Sequence, residues 1–439
     1  SASIDGNTIS DGVTIAGSGS ASMTLQGSAA NLNSYLNNTS KITFTTAPND
    51  VTSATLTVTP FDGAVNGSSD TVVIAITSIN DAPNLMATGS NPTFTEGGAA
   101  GSLFSGTSIS TVEAGQTIEG LTLTVAGLVD GASEILTLDG TAIGLSDGAS
   151  GTTATNSLSY SVSVVGTTAT LSLAGGTLSV GAAETLIDGA SYQNNSQNPG
   201  TSNRVVTLTE VQDSGGTANG GSDTATLSVA STVSVTGVND APTLTATGSN
   251  PTFTEGGAAG SLFSGTSIST VEAGQTIEGL TLTVAGLADG ARETLTLDGT
   301  AIGLSDGASG TTATNSLSYS VSVVGTTATL SLAGGTLSVG AAETLIDGAS
   351  YQNNSQNPGT SNRVVTLTEV QDSGGTANGG SDTATLSVAS TVSVIGVNDP
   401  VTGNLLITGK PLEGETLSVD ASNLRDRDGL GSFSYQWLN

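Results

Sequence analysis

One stretch of 159 residues occurs twice in this chain almost unchanged, and no other feature limits the possible fold as much. Asn-Asp-Ala-Pro opens each copy at Asn80 and Asn239, and Asn398-Asp399-Pro400 follows at the same spacing (239 − 80 = 398 − 239 = 159). Residues 80–238 and 239–397 align without a gap and differ at six positions: Asn84/Thr243, Met86/Thr245, Val129/Ala288, Ser133/Arg292, Ile135/Thr294 and Thr236/Ile395. A period this long fits a complete domain rather than one turn of a solenoid. We therefore expect two copies of one independently folding unit.

The two ends of the chain differ from these copies. Residues 1–79 close with Ser69-Asp70-Thr71 and an apolar run into Asn80, which is also how the repeated unit closes. We therefore interpret 1–79 as the C-terminal part of a related domain, 80–238 as repeat A, 239–397 as repeat B and 398–439 as the truncated start of a different unit. A chain that begins and ends inside domains is expected to be a piece of a longer protein, with the other domains of that chain as its first partners.

Short alternating runs fill both repeats. Residues 121–125, 158–164 and 169–173 alternate apolar side chains with Thr or Ser, as antiparallel strands with one buried face do. Asp-Gly pairs such as Asp139-Gly140 and Asp188-Gly189 lie between the runs and are expected to supply the positive φ of tight turns. About nine or ten strands per repeat predict an all-β fold built as a two-sheet sandwich, with one helical turn within 182–187.

The charge and composition exclude several function classes. The 439 residues include 37 acidic and 7 basic residues, giving a formal charge of −30, of which repeats A and B carry −12 and −11. Such an excess of negative charge argues against nucleic acid as a partner. The chain has no Cys and no His, so thiolate or imidazole metal sites and Ser-His-Asp catalysis are excluded. No segment approaches 18 consecutive apolar residues, so no membrane span is predicted.

Several motifs together resemble a known family. The repeats are similar to the cadherin-like repeats of giant bacterial surface proteins and RTX-type adhesins, and residues 401–439 resemble the start of a bacterial Ig-like module. The motifs that carry the resemblance are Phe94-Thr95-Glu96-Gly97-Gly98, Gln212-Asp213-Ser214-Gly215-Gly216, Val238-Asn239-Asp240-Ala241-Pro242, Asp426-Arg427-Asp428-Gly429 and Tyr435-Gln436-Trp437. The resemblance implies tandem Ig- or cadherin-like Greek-key β-sandwiches arranged end to end as a rod. It also implies a bacterial, secreted protein located outside the cell or at its surface.

The same resemblance implies calcium at the domain junctions. The implied ligands are Asn80, Asp81 and Asp213 near residue 81; Glu96, Asn239, Asp240 and Asp372 near residue 240; and Glu255, Asn398 and Asp399 near residue 399. Ca²⁺ takes six to eight oxygen ligands, which Asp, Glu, Asn and backbone carbonyls provide. If calcium holds these junctions, we expect its removal to loosen the linkers without unfolding the sandwiches.

Each of these motifs can also be explained without a bound ion. Asn-Asp-(Ala)-Pro can serve as a stiff linker, because Asn and Asp favour turns and Pro restricts the exit from a strand. Asp213 and Asp223 can be the solvated ends of a hairpin, Glu96 can be merely exposed, and Asp426-x-Asp428 is predicted to form a turn. Two further pairs have simple predictions: Tyr192 and Tyr351 as core residues, and Arg204 and Arg363 as partners of nearby acids.

The sequence favours a structural function. Repeating one domain almost unchanged lengthens a protein without adding a new activity. We therefore expect a non-catalytic spacer or fibre in adhesion, a biofilm matrix or an extracellular filament, with other copies of the chain as further partners. The alternative is a ligand- or carbohydrate-binding adhesin module, but aromatic residues form only 3% of the chain and sugar sites depend on stacking rings. An enzyme is not expected, because paired carboxylates without an aromatic-lined cleft are poorly suited to glycosidase chemistry.

Overall fold

The structure is a computed structural model that describes residues 3–6 and 12–438. The chain divides into two compact units, Ser1–Thr236 and Gly237–Asn439, and each is described by itself. Strands dominate both units, which confirms the predicted all-β fold class. None of the helices in the described ranges is long and apolar enough to cross a membrane.

Within the described residues before Asn80, the first unit contains paired strands and one helix. Its elements are β1 (Ser3–Gly6), β2 (Val13–Ala16), β3 (Thr24–Gly27), α1 (Ala29–Leu36), β4 (Ile42–Thr45), β5 (Ala54–Val58) and β6 (Asp70–Ile74). The strands pair as β1 with β4, β2 with β3, and β5 with β6, all antiparallel. Apolar side chains such as Val58, Phe61 and Val73 are largely exposed here. The three strand pairs therefore leave apolar surface uncovered.

Repeat A contains thirteen strands rather than the nine or ten expected, because several strands of only two or three residues are too short to show an alternating pattern in the sequence. Its elements are β7 (Asn84–Gly89), β8 (Thr93–Thr95), β9 (Gly101–Ser102), β10 (Phe104–Ser110), β11 (Ile118–Ala126), β12 (Glu134–Leu138), β13 (Thr141–Gly144), β14 (Ser150–Thr152), β15 (Ser159–Val165), β16 (Thr168–Ala174), α2 (Val180–Asp188), β17 (Ser191–Asn194), β18 (Arg204–Asp213) and β19 (Thr224–Thr236). Two 3-10 helices cover Gly131–Ser133 and Ala218–Gly220.

Two main sheets of repeat A share one hydrophobic core. The larger sheet has the order β14-β15-β16-β11-β18-β19-β8, the smaller has the order β13-β12-β17-β9, and β7 pairs separately with β10. Only β8 runs parallel to its neighbour, with Phe94 opposite Val235 at the end of β19. Alternate residues of β11, including Leu123 and Val125, enter the core, and Leu136 enters it from the smaller sheet. Period-two alternation therefore buries one face of each sheet, as a sandwich requires.

Helix α2 is longer than the single turn predicted for 182–187. It begins at Val180 because the Ser179 side chain accepts a hydrogen bond from the backbone N–H of Ala182, and it buries Leu186 and Ile187. Asp139 and Gly140 both adopt positive φ, as predicted for an Asp-Gly turn. The same prediction is wrong for Gly189, which ends α2 with φ −82°. There the dipeptide terminates a helix and does not connect two strands.

Repeat B, in the second unit, has the same elements in the same order. They are β20 (Thr243–Gly248), β21 (Thr252–Thr254), β22 (Gly260–Ser261), β23 (Phe263–Ser269), β24 (Ile277–Ala285), β25 (Glu293–Leu297), β26 (Thr300–Gly303), β27 (Ser309–Thr311), β28 (Ser318–Val324), β29 (Thr327–Ala333), α3 (Val339–Asp347), β30 (Ser350–Asn353), β31 (Arg363–Asp372) and β32 (Thr383–Ile395). Its sheets have the orders β21-β32-β31-β24-β29-β28-β27 and β22-β30-β25-β26, with β20 paired to β23. Repeat B is therefore the topological copy of repeat A.

The segment after repeat B contributes one hairpin. Strands β33 (Leu406–Gly409) and β34 (Leu417–Asp420) pair antiparallel, and Thr402 bridges to Arg425. Leu406, Ile407 and Trp437 are mostly exposed. Like the segment before Asn80, this hairpin leaves its apolar side chains uncovered.

A buried ion-pair network joins the two sheets of each repeat. In repeat A, the fully buried guanidinium of Arg204 lies 2.8 Å from Glu134 and 2.7 Å from Asp130. Tyr192, also buried, donates its hydroxyl to Glu134 at 2.8 Å. Burial and the Glu134 carboxylate both raise the pKa of Tyr192, so the phenol remains a donor. The predictions that Tyr192 is a core residue and that Arg204 pairs with an acid are both confirmed.

Candidate functional site

The Asn-Asp linker at the start of repeat A is bound to residues that lie 133 and 142 positions later in the same repeat. Asn80 is buried, and its Nδ2 donates to Asp213 Oδ1 at 3.0 Å and to the carbonyl of Ser222 at 2.7 Å. Its Oδ1 accepts a hydrogen bond from Gln116 Nε2 at 2.5 Å. Two donors and one acceptor of a single amide are thus used, which fixes both the position and the orientation of the linker side chain.

Strand register and two glycines place these groups together. Ile118 at the start of β11 pairs with Asp213 at the end of β18, so the loop before β11 and the loop after β18 meet beside the linker. A Cβ on Gly215 would lie 1.9 Å from Asn80 Oδ1, and one on Gly221 would lie 2.9 Å from the Asn80 backbone nitrogen. Only glycine leaves room for the linker at these two positions.

Several buried oxygens beside this linker have no hydrogen-bond partner among the described residues. They are Asp213 Oδ2, Glu113 Oε1 and Gln116 Oε1. Glu113 is tied to the linker through its other oxygen, which accepts from the Asp81 backbone N–H at 3.3 Å. An ionised carboxylate has only acceptors, and a buried acceptor without a donor costs about 1–3 kcal/mol. Oxygen atoms that lack donors are the ligands that a hard cation such as Ca²⁺ prefers.

The same network is present in the second unit around Asn239. Asn239 Nδ2 donates to Asp372 Oδ1 at 3.1 Å, and Gln275 Nε2 donates to Asn239 Oδ1 at 2.5 Å. The Asp240 backbone N–H donates to Glu272 at 3.3 Å. Four buried oxygens here have no hydrogen-bond partner within the part of the chain that the structure describes: Asp240 Oδ2, Glu272 Oε2, Gln275 Oε1 and Asp372 Oδ2.

The third linker has a different set of neighbours. The backbone N–H of Val397 donates to Glu255 Oε2 at 2.9 Å, and that of Asp399 donates to Asp428 Oδ2 at 2.5 Å. Asn398 Nδ2 donates to the carbonyl of Asp399 at 3.0 Å. Asp399 Oδ2 accepts no hydrogen bond from residues 3–6 or 12–438 and faces Arg427 Nη1 at 3.7 Å.

The structure therefore brings together some of the implied ligands within each unit. Asn80 contacts Asp213, and Asn239 contacts Asp372, whereas Asp81 and Asp240 reach their networks through backbone N–H groups. Glu96 lies in the first unit, at the end of β8, where its backbone N–H donates to the Thr236 carbonyl at 2.9 Å. Within residues 3–6 and 12–438, no group of three or more His, Cys, Asp or Glu side chains is arranged to hold a metal. The donor sets around Asn80 and Asn239 mix carboxylates with amides.

Sequence reasoning missed four residues of these networks. Glu113 and Gln116 in repeat A, and Glu272 and Gln275 in repeat B, lie in the loop that precedes β11 or β24. No motif marks these residues in the sequence, because only the fold brings a Glu and a Gln of this loop to the same linker. Asp426-x-Asp428 does form the predicted turn, with the Asp428 N–H donating to Asp426 Oδ1 at 2.9 Å.

Comparison with known proteins gives only distant structural similarity. No family model matches the sequence, and no curated protein matches it. The chain is similar to Drosophila N-cadherin EC1-4, with a TM-score of 0.18, 10% identity, and coverage of 90% of this chain and 67% of that one. For protocadherin gamma B2 extracellular cadherin domains 3–6 the values are 0.24, 12%, 94% and 69%. For Drosophila N-cadherin EC1-3 they are 0.14, 10%, 90% and 89%. At these low TM-scores the fold class rests on the strand pairing described above: tandem all-β sandwich domains.

Proposed function

We propose that this chain is a non-catalytic structural segment of a bacterial extracellular or cell-surface protein, in which repeated sandwiches serve as a spacer or fibre. Two topologically identical repeats, each with its own closed core, support this function because repetition adds length without a new fold. The crevice beneath α2 has room of only about 10 Å³, close to the lower limit for one water molecule. It is lined almost entirely by apolar residues, among them Leu121, Leu158 and Leu178.

We propose further that the Asn-Asp linkers of both repeats bind calcium. The observation that carries this proposal is the recurrence of buried, donorless oxygens around Asn80 and around Asn239. In repeat A, Asp213, Glu113 and Gln116 would provide ligand oxygens, while Asn80 orients Asp213 through its hydrogen bond. A divalent cation there would neutralise the carboxylates and connect the linker to loops at the same end of the sandwich.

Calorimetric titration of calcium into the EDTA-treated full chain tests this site. We expect binding with Kd of about 10⁻⁴ to 10⁻³ M, the range of extracellular calcium modules. Asp213→Asn should weaken the repeat A site at least tenfold, because it removes one charge while leaving an oxygen that can still accept from Asn80. Asp372→Asn should do the same in repeat B.

A matched control removes an equal charge elsewhere. Glu119→Gln and Glu278→Gln replace exposed acids on β11 and β24 and should leave the titration unchanged. Absence of calcium binding to the unaltered chain up to about 10 mM, well above the range for extracellular modules, would contradict the proposal. An equal loss of calcium affinity in the Asp213→Asn and Glu119→Gln variants would show that the affinity depends only on net charge, which would also contradict the proposal.

A further inference from the structure

The third linker differs from the first two in having a cationic side chain of the protein beside its Asp. Arg427 Nη1 lies 3.7 Å from Asp399 Oδ2, a buried oxygen that has no hydrogen bond to any residue whose structure is described. Repeat A contains a single basic residue, Arg204, and its guanidinium already forms the buried ion pairs with Asp130 and Glu134. In repeat B, Arg363 forms the same ion pairs with Asp289 and Glu293.

Arg427 also connects the segment after the linker to repeat B. Its Nη1 donates to Gln356 Oε1, and its backbone carbonyl accepts from Asn357 Nδ2 at 3.1 Å. One residue therefore contacts the linker through Asp399 and the body of repeat B through two polar side chains.

The loop that receives Arg427 is held in place from inside repeat B. Arg363 Nη1 donates to the Gly359 carbonyl at 2.9 Å, and the Gly359 N–H donates to Asp289 at 3.0 Å. The Ser355 N–H, next to Gln356, donates to the buried Asn353 side chain at 2.9 Å. The contact surface for Arg427 is thus preorganised by the repeat.

From this geometry we infer that Arg427 occupies the place of the cation at the third linker, so that residues 397–399 keep their structure without calcium. This inference rests on the proposed calcium sites of the first two linkers, from which it distinguishes the third. Arg427 is 63% exposed and Asp399 is 30% exposed, so the ion pair alone is weak, and the contacts with Gln356 and Asn357 add to it. Arg427 is in this view the residue that makes the third linker independent of calcium.

Hydrogen exchange of the full chain, measured by mass spectrometry with EDTA and with calcium, tests the inference. The reporting amides are Val397 and Asp399, which donate to carboxylates at the third linker, and Asp81, which does so at the first. In the unaltered chain, exchange at 397–399 should be the same with and without calcium. In Arg427→Gln it should become roughly fivefold faster in EDTA, the factor that corresponds to losing about 1 kcal/mol, and calcium should restore it.

Lys410→Gln is the matched control, because it removes an equal charge from an exposed position of the same segment and should leave 397–399 unchanged. Unaltered exchange in the core strands of repeat B would show that Arg427→Gln remains folded. Three results would overturn the inference: a calcium response at 397–399 in the unaltered chain, no effect of Arg427→Gln in EDTA, or no restoration of that variant by calcium. Failure of the proposed calcium sites would appear separately, as an Asp81 amide and a titration that do not respond to calcium.

Discussion

Arg204→Met should destabilise repeat A selectively, because it leaves a buried carboxylate without its counter-ion. The substitution removes the contacts at 2.8 Å to Glu134 and 2.7 Å to Asp130, as well as a hydrogen bond at 2.9 Å to the Gly200 carbonyl. Glu134 is fully buried and cannot be solvated in place. Breaking a buried pair by removing one partner costs about 3–5 kcal/mol.

The destabilisation should lie at the lower end of the range of about 3–5 kcal/mol, because Glu134 retains other hydrogen bonds. Glu134 keeps three donors, which are the Tyr192 hydroxyl at 2.8 Å and the backbone N–H groups of Val129 at 2.8 Å and Asp130 at 2.9 Å. We therefore expect a loss of about 3 kcal/mol. For a domain of this size that loss lowers Tm by roughly 6–12 °C.

Differential scanning calorimetry measures this effect, and the second repeat serves as an internal reference. A transition with the enthalpy of one repeat should move to lower temperature while the other remains, and Arg363→Met should give the same pattern from repeat B. Arg204→Met combined with Glu134→Met should recover at least half of the loss, because it no longer buries an unpaired charge.

Two outcomes would refute this reasoning. A shift of the whole transition as one event would mean that the repeats do not unfold independently. A shift below about 2 °C would mean that the ion-pair network contributes little to stability. The surface substitution Arg292→Ser, which gives repeat B the residue of repeat A, should change Tm by no more than that.

Further predictions concern the pH dependence of repeat B, two glycines of repeat A and the removal of calcium. Burial raises the pKa of Glu293, but hydrogen bonds from Arg363 and Tyr351 outweigh it and hold the pKa below its ordinary value. Ionised Glu293 therefore stabilises the fold fully at pH values above its unfolded pKa of about 4.3, and this stabilisation is lost as the pH falls through the folded pKa. The urea midpoint should accordingly differ less between pH 7 and pH 3 in Glu293→Gln than in the unaltered chain. Gly215→Ala should displace Asn80 and weaken calcium binding in calorimetry, whereas Gly181→Ala, whose Cβ meets nothing within 4 Å, should raise stability by about 0.5–1 kcal/mol. Relative to about 1 mM calcium, EDTA should lower the urea midpoint of the sandwiches by the equivalent of no more than about 1.4 kcal/mol per repeat, because an ion with Kd of about 10⁻⁴ to 10⁻³ M stabilises the folded state only by RT ln(1 + [Ca²⁺]/Kd), and a larger fall would show that the sandwiches themselves need calcium to fold.

The sequence predicted the strands and the core well, for a physical reason. Period-two alternation and Asp-Gly turns are local signals, so the alternating runs were interpreted correctly. Tyr192 and Arg204 were also predicted correctly, since a lone base in an acidic repeat has many acids to pair with. Helix α1 was missed because its sequence, Ala-Ala-Asn-Leu-Asn-Ser-Tyr-Leu, buries only Tyr35 and shows little periodicity.

The candidate site was less predictable because its contacts join residues far apart in sequence. Gln116 and Asn80 are 36 residues apart, and Asn80 and Asp213 are 133 apart. A motif search finds Asn80 and Asp213 through their resemblance to a family but has no reason to select Glu113 or Gln116 from a loop. The sequence predicts only that Arg427 is the middle residue of the Asp426-x-Asp428 turn, and its position beside Asp399 is apparent only in the structure.

The parallel pairing of β8 with the end of β19 has a mechanical consequence. Ser234, Val235 and Thr236 lie beside Thr93, Phe94 and Thr95, so the strand near the entrance of repeat A is bonded to the strand at its exit. Tension applied through the two ends of the repeat pulls these parallel strands lengthwise past each other. The hydrogen bonds between them, including those from Ser234 to Pro92 at 3.0 Å and from Glu96 to Thr236 at 2.9 Å, then carry the load together. Such a shear arrangement resists rupture better than a hairpin peeled open one bond at a time, and repeat B has the same arrangement, because β21 pairs in parallel with β32.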